Sequence, residues 1–169
     1  KGTLLGVLDM TVTSMGGRML NRWLRYPLIR QERIDARHTA VEEALASLGV
    51  TRAIRKELDN VYDLERLGSK ISMGHANARD LTALKHSLMA FPDILDQLDG
   101  FSSRQFQWQK ELDVFNDLAA LIDSAIRGDA PLVIHEGGLI KTGYNPELDE
   151  LISISREGKG WLVQLEARE

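Results

Sequence analysis

Two glycine pairs, four histidines, three tryptophans and a run of arginines are the residues of this chain whose chemistry could build a site. A phosphate-binding loop needs glycine peptides that surround the phosphates, followed by a lysine and a hydroxyl for the metal. Gly16-Gly17-Arg18 and Gly137-Gly138 lack that frame. The first pair reads as a close approach or a bend at a helix start, the second as a turn. His38, His75, His86 and His135 show neither HxxxH nor HExxH spacing, and no cysteine completes a zinc shell. His38 falls in an apolar periodic run and reads as a hydrogen-bonded packing residue, whereas the others read as surface or turn positions. Glu42-Glu43 and Asp149-Glu150 are adjacent, so they point differently around a helix and form no acid/base pair; solvation is the expectation for both. Trp23, Trp108 and Trp161 could stack on exposed bases, but their helical surroundings suit anchors between helices. Arg18, Arg22 and Arg25, with Arg30, Arg33 and Arg37 beyond the next turn, form a basic stripe suited to an interdomain or phosphate contact. The residues therefore assign no catalytic, cofactor, metal or DNA-binding position.

Composition narrows the class. The chain has 169 residues, 43% apolar and 27% charged, with four prolines, which suits one packed domain or a large piece of a bigger protein. No apolar run approaches the roughly 18 residues of a membrane span, and neither a secretory leader nor a disulfide framework is indicated. A cytoplasmic setting is the expectation. The net charge of −4 hides an asymmetry. Residues 1–56 carry ten Lys/Arg against five Asp/Glu, and residues 57–169 carry eleven against twenty. The acidic remainder argues against a phosphate-binding surface along the whole chain.

The elements that must position these residues are helical. Met15, Met19, Leu20, Trp23 and Leu24 share one helix face behind a Thr13 or Ser14 cap, and Pro27 helps end that helix. Ile34, His38, Val41, Leu45 and Leu48 alternate spacings of four and three, the pattern of a packed seam, with Gly49 closing the run. Ile54 and Leu58 mark a shorter helix. Leu64, Leu67 and Ile71 follow a possible Asp63 cap and stop at Gly74. Asn77 and Asp80 form a capping-box-like pair ahead of Leu81, Leu84, Leu88 and Phe91, with Pro92 as a break or kink. After the loop at 99–103, Leu112, Phe115, Ala119, Ile122 and Ile126 predict another long helix, stopped by Gly128 and Pro131. Leu132–Glu136 and Leu139–Thr142 flank Gly137-Gly138 and predict a β-hairpin near residues 132–142. Asn145 and Pro146 open a closing helix through Leu148, Leu151, Ile152 and Leu162, weakened locally by Gly158 and Gly160. The fold class expected is mainly α: a multi-helix bundle with long lever-type helices and that one hairpin.

Four segments, in order, carry a family resemblance: LLGVLDMTVTSMGGRMLNRWLRYPL at 4–28, DLERL at 63–67, ARDL at 78–81, and EGGLI through GYNPELDEL at 136–151. Together they resemble the core, or lever, region of MutS-family DNA mismatch-recognition ATPases across almost the whole chain. The resemblance implies that residues 1–169 are one largely helical region, a fragment whose final helix, Trp161 to Glu169, leads toward a DNA-contacting clamp. It further implies that mismatched duplex DNA, ATP and Mg are handled by other parts of the parent, that the parent is a homodimer, and that a MutL-like repair protein is its partner. The family's Phe-x-Glu mismatch wedge and phosphate-binding loop have no counterpart in this sequence.

The expected function is thus a structural and allosteric connector, not itself an enzyme, in which stiff helices convert ATP-driven motion into clamp movement. A self-standing helical interaction module with a basic N-terminal face is the alternative. On the connector reading, the seam of Ile34, Val41, Leu45 and Leu48 and the anchors Trp23 and Phe115 hold the geometry. Truncating one such residue to alanine would then cost about 2–5 kcal/mol.

Overall fold

The computed structural model describes residues 2–166, with side chains described except at 108–111 and 159–166. Trp108 and Trp161 therefore lie outside the described side chains, as does the end of the closing helix. The α-helices run in chain order as α1 (Leu4–Leu8), α2 (Ser14–Arg25), α3 (Gln31–Ala46), α4 (Leu48–Leu58), α5 (Leu64–Ser72), α6 (Ala78–Met89), α7 (Phe91–Leu98), α8 (Asn116–Ala125) and α9 (Pro146–Glu166). A long 3-10 turn occupies Arg104–Glu111. The all-α class holds among the described residues, where no sheet forms.

Local chemistry sets most helix starts. Thr13 Oγ1 accepts the Gly16 N–H at 3.0 Å and caps α2. The Asp63 carboxylate accepts the Arg66 N–H to cap α5. Asn77 and Asp80 make both bonds of a capping box on α6: Asp80 N–H to Asn77 Oδ1 at 2.9 Å, and Asn77 N–H to Asp80 Oδ2 at 3.1 Å. Asn145 Oδ1 accepts the Leu148 N–H ahead of Pro146, the first residue of α9. Pro92 sits in the first turn of α7, where its missing N–H costs no helical bond, so α6 ends at Met89 and the chain bends into α7.

Two packed groups result. Val61, Ala90, Ile94, Leu98 and Phe101 form one buried core, covered by half-buried residues that include Met15, Ile54 and Leu58. The other group is α5, α6 and α8, in which α6 against α8 is the most extensive helix contact. Its buried residues are mostly small: Ala78, Ser87 and Leu88 on α6, and Ala119, Ile122 and Ala125 on α8. Small side chains let helix axes approach closely. Ser87 is fully buried and satisfied twice, accepting the Tyr62 N–H and donating to the Ala83 carbonyl, each at 2.9 Å.

Four sequence expectations need correction. The hairpin near 132–142 does not form: Ile134–Glu136 is a short 3-10 turn. Gly137 has φ 68° and ψ −168°, and Gly138 also has positive φ, a combination that fits neither tight hairpin turn. The second would-be strand pairs with the end of α8 instead, through Arg127 N–H to the Leu139 carbonyl (2.9 Å) and Lys141 N–H to the Ala125 carbonyl (2.8 Å).

The long helix expected from Leu112 starts only at Asn116, because Phe115 adopts a left-handed backbone (φ 51°, ψ 42°) and its N–H is held by Asp113. Gly49 lies inside α4, and the break falls at Ser47, where Thr51 Oγ1 donates to the Ala44 carbonyl that the helix end leaves free. Finally, the seam is not buried within the described residues. Val41, Leu45 and Leu48 are exposed, Ile34 is half-buried, and the intended anchors Trp23 and Phe115 are exposed too. Apolar periodicity marks a face that can pack, without showing that its partner lies in the same segment.

Candidate functional site

The start of α2 holds the densest polar assembly. Gly16 and Gly17 bring the chain close to itself: a Cβ on Gly16 would stand 3.1 Å from Thr13 Oγ1 and 3.4 Å from Thr11 Cβ. Both glycine N–H groups are already engaged by Thr13, one by its hydroxyl and one by its carbonyl. A phosphate cradle needs those N–H groups free and convergent, so these residues do not fit ATP. Gly137-Gly138 belongs to the turn beside α8 and offers no lysine and hydroxyl frame either. No group of side chains suited to hold a metal ion is assembled among the described residues.

Immediately after the glycines, Arg18 reaches from α2 to the start of α5. Its Nη1 and Nη2 donate to the two carboxylate oxygens of Asp63, each at 2.7 Å, and its Nε donates to Glu65 Oε2 at 2.8 Å. This is the fork-on-carboxylate geometry in which a planar guanidinium is strongest and most directional. Hydrogen bonding from Arg18 holds the Asp63 carboxyl down at about 2, and the same bonds raise the Arg18 pKa further. Asp63 thus serves two helices at once, as the cap of α5 and the socket for α2. The backbone of the α1–α2 loop is tied separately, by Arg55 Nη2 donating to the Met10 carbonyl at 2.8 Å.

The basic stripe is divided by the structure. Arg18 is committed to carboxylates, and the Arg37 guanidinium lies 3.5 Å from the centroid of the Trp23 ring, stacked on it. Arg22, Arg25, Arg30 and Arg33 make no ion pair among the described residues. Beside the stack, an open groove runs between α2, α3 and the 3-10 turn, with Met19, Val41 and Phe106 among its walls.

Other expected residues fall elsewhere. All four histidines are exposed, including His38, which the seam pattern had placed in packing. Glu43 is not an idle solvated carboxylate. It accepts the Ser102 N–H, the Ser102 hydroxyl (2.8 Å) and the Ser103 N–H (2.9 Å), bonds led by the Ser102 amide that hold its pKa down at about 2. Asp149 likewise accepts the Gly143 N–H at 2.7 Å. Sequence reasoning missed both partners of Arg18. The available signal was an Asp63 cap with a spare oxygen and Glu65 beside it in the first turn of α5.

The model of the family described as MutS domain III matches residues 1–169. The chain belongs to that family. It is 50% identical over 175 residues to the DNA mismatch repair protein MutS of Desulforapulum autotrophicum, covering all of this chain and 20% of that protein. Proteins of the same name from Halothermothrix orenii and Symbiobacterium thermophilum are each 45% identical over 170 residues, again covering the whole chain and 19% of theirs. The chain thus spans about a fifth of the length of these relatives. No helix among its described residues is long and apolar enough to cross a membrane.

Within this domain III, the four family-like segments are tie points between helices. Arg18 of the first grips Asp63 and Glu65 of the second. Asp80 of the third receives Lys70 from α5 at 2.7 Å while completing its capping box. Leu139 of the fourth takes the Arg127 N–H at the end of α8.

Proposed function

We propose that this domain III segment is the structural and allosteric connector of a MutS-type mismatch-recognition ATPase, coupling nucleotide-driven motion to movement of a DNA clamp. In this reading mismatched duplex DNA, ATP and Mg are bound by parts of the protein outside this chain, the segment itself catalyses nothing, and the parent acts as a homodimer with a MutL-like partner in the cytoplasm. The observation that carries the reading is the Arg18 fork. No side chain of helix α2 is fully buried, Met15 being packed part-buried against the core, and four guanidinium bonds tie the helix to α5. A helix seated in part by a directional polar joint can be seated or released, and a coupling element requires such a pair of states.

The test places this segment, in place of its counterpart, in the full-length Desulforapulum autotrophicum protein. Arg18→Met should then change the rate of ATP-triggered release from a mismatched duplex by about tenfold, within the range typical of coupling between sites. ATP hydrolysis without DNA should stay within about twofold, because the joint lies outside the nucleotide site on this reading. Unchanged release, with hydrogen exchange showing α2 loosened, would end the coupling role.

A further inference from the structure

The closing helix α9 is held at one end. It runs 21 residues, from Pro146 to Glu166, which is about 30 Å at the rise of an α-helix. Among the described residues it packs extensively against no other helix. Leu148, Asp149 and Ile152 near its start are half-buried, whereas every residue from 153 to 158 is exposed. The direction of so long an arm is therefore set by what fixes its first turns, and the segment arriving from α8 does that.

This segment is pinned to the end of α8. Ile140 pairs with Ile126 in an isolated antiparallel bridge, with the Lys141 N–H on the Ala125 carbonyl at 2.8 Å and the Arg127 N–H on the Leu139 carbonyl at 2.9 Å. The Lys141 ammonium donates to the Asp123 carbonyl, one of those in the last turn of α8 that the helix itself leaves free, and lies 3.7 Å from the Asp123 carboxylate. That carboxylate also accepts from Lys85 Nζ on α6 at 2.9 Å. Asp123 thus joins α6, α8 and the incoming segment.

Past Lys141 the ties become few. Gly143 takes φ 88°, a left-handed conformation that a side chain would strain, and the chain turns there toward Asn145 and the start of α9. The Tyr144 N–H closes this turn on the Lys141 carbonyl at 3.2 Å. One side-chain bond crosses from the helix back to Gly143 among the described residues: Asp149 Oδ2 accepts the Gly143 N–H at 2.7 Å. A carboxylate on a backbone N–H is a strong and directional bond, whereas the partial burial of Leu148 and Ile152 has no preferred direction.

We propose that Gly143 is the joint of α9, that Asp149 is its latch, and that Asp123 with Lys141 forms the mount on which both sit. Made, the latch holds the helix at one tilt. Broken, it lets the helix swing about Gly143 while Leu139 to Lys141 stay on α8. A swing of about 20° would carry the far end of α9 by about 10 Å. The proposal rests on the connector reading only in taking α9 as a part that moves, since the joint itself is a property of this chain.

Pulsed electron-spin distance measurements on the 169-residue chain test it, and because the chain has no cysteine, two introduced ones carry the labels alone. Leu121→Cys with Arg156→Cys spans the joint, and Leu121→Cys with Thr142→Cys stays on the mount side; all three positions are exposed. Without further change both pairs should give one narrow distribution. Asp149→Ala should make the spanning distribution about twice as wide and leave the mount pair as it was, because release adds tilts to the ensemble. Asp149→Asn keeps an acceptor oxygen and should stay narrow. Lys141→Met should widen both pairs. A spanning distribution indifferent to Asp149→Ala, or equally wide before it, would overturn the latch. Equal widening of both pairs by Asp149→Ala, or a loss of helical circular dichroism, would overturn the joint, since the segment or the helix itself would be giving way. A mount pair left narrow by Lys141→Met would overturn the mount. ATP-triggered release by the full-length chimera carrying Asp149→Ala separates the two ideas: an unchanged rate with widened distances ends the connector reading and leaves the joint standing, whereas unmoved distances end the joint whatever the rate.

Discussion

The α6–α8 pair and the α2–α3 pair are held by burial and polar contact in different proportions. Between α6 and α8, Leu88, Ala119, Ile122 and Ala125 are buried, the buried hydroxyl of Ser87 is satisfied on both sides, and one ion pair, Lys85 to Asp123 at 2.9 Å, crosses from helix to helix. No side chain of α2 is fully buried and α3 fully buries only Ala40, with Met15 and Ala44 packed part-buried against the core, and α2 is further held by the Arg37–Trp23 stack and the Arg18 fork. Burial is non-directional, whereas a guanidinium fork depends on the direction of its bonds. The first pair has the larger buried share, and the second leans more on contacts that solvent conditions can change.

The largest effect that would sharpen this contrast is in the apolar half. Leu88 is 4% exposed, so Leu88→Ala should destabilise the chain by about 2–5 kcal/mol, the lost transfer energy of the side chain plus the cavity it leaves. Denaturant unfolding measures it. A loss under about 1 kcal/mol would mean that α6 and α8 can close the gap, and the claimed difference between the halves would weaken.

Acid should act most on the second pair, although Lys70 and Lys85 also hold the Asp80 and Asp123 carboxyls of the first pair below their usual range. Glu43 and Asp63 have pKa values lowered from 4.5 and 3.8 to about 2, so their carboxylates favour the folded state only while ionised. Their contribution is complete above the ordinary values and is lost as pH falls toward 2. Amide exchange at Ser102 and Ser103, corrected for the intrinsic rate, should lose protection across that window, along with the amides of α2. The Tyr62 amide rests on the Ser87 hydroxyl, which has no proton to gain in this range, and should hold its protection. Equal loss at all these positions would show that acid unfolds the molecule as a whole and that the halves are not distinct.

The sequence was most readable where chemistry is local. Thr13, Asp63, the Asn77–Asp80 box and the Asn145-Pro146 start each act within three residues, so residue type and spacing were enough. What could not be read depends on distant partners. Arg18 meets carboxylates 45 and 47 positions away, and Glu43 meets serines 59 and 60 away. The apolar runs around Gly137-Gly138 looked like two strands, but the pairing that formed is with the end of α8, a competitor invisible to a window of ten residues. Phe115 broke its helix by entering a left-handed conformation that β-turn and helix patterns do not anticipate for an aromatic residue. The family-like segments were legible as a set, while their role as ties between helices was not.

The smallest expected effect is the most discriminating, because the periodicity of α3 and the burial of α3 disagree. Spacing alone assigns Val41 and Leu45 to a load-carrying seam, yet both side chains are more than half exposed, at 58% and 62%. In the 169-residue chain, Val41→Ala and Leu45→Ala should each change stability by no more than about 0.5 kcal/mol, as expected of surface positions. Small effects at both positions would make the apolar face of α3 an exposed surface within this chain. A large loss at Val41 in the short chain would show that α2 and α3 are packed by burial after all, and the two halves of the molecule would then differ only in degree.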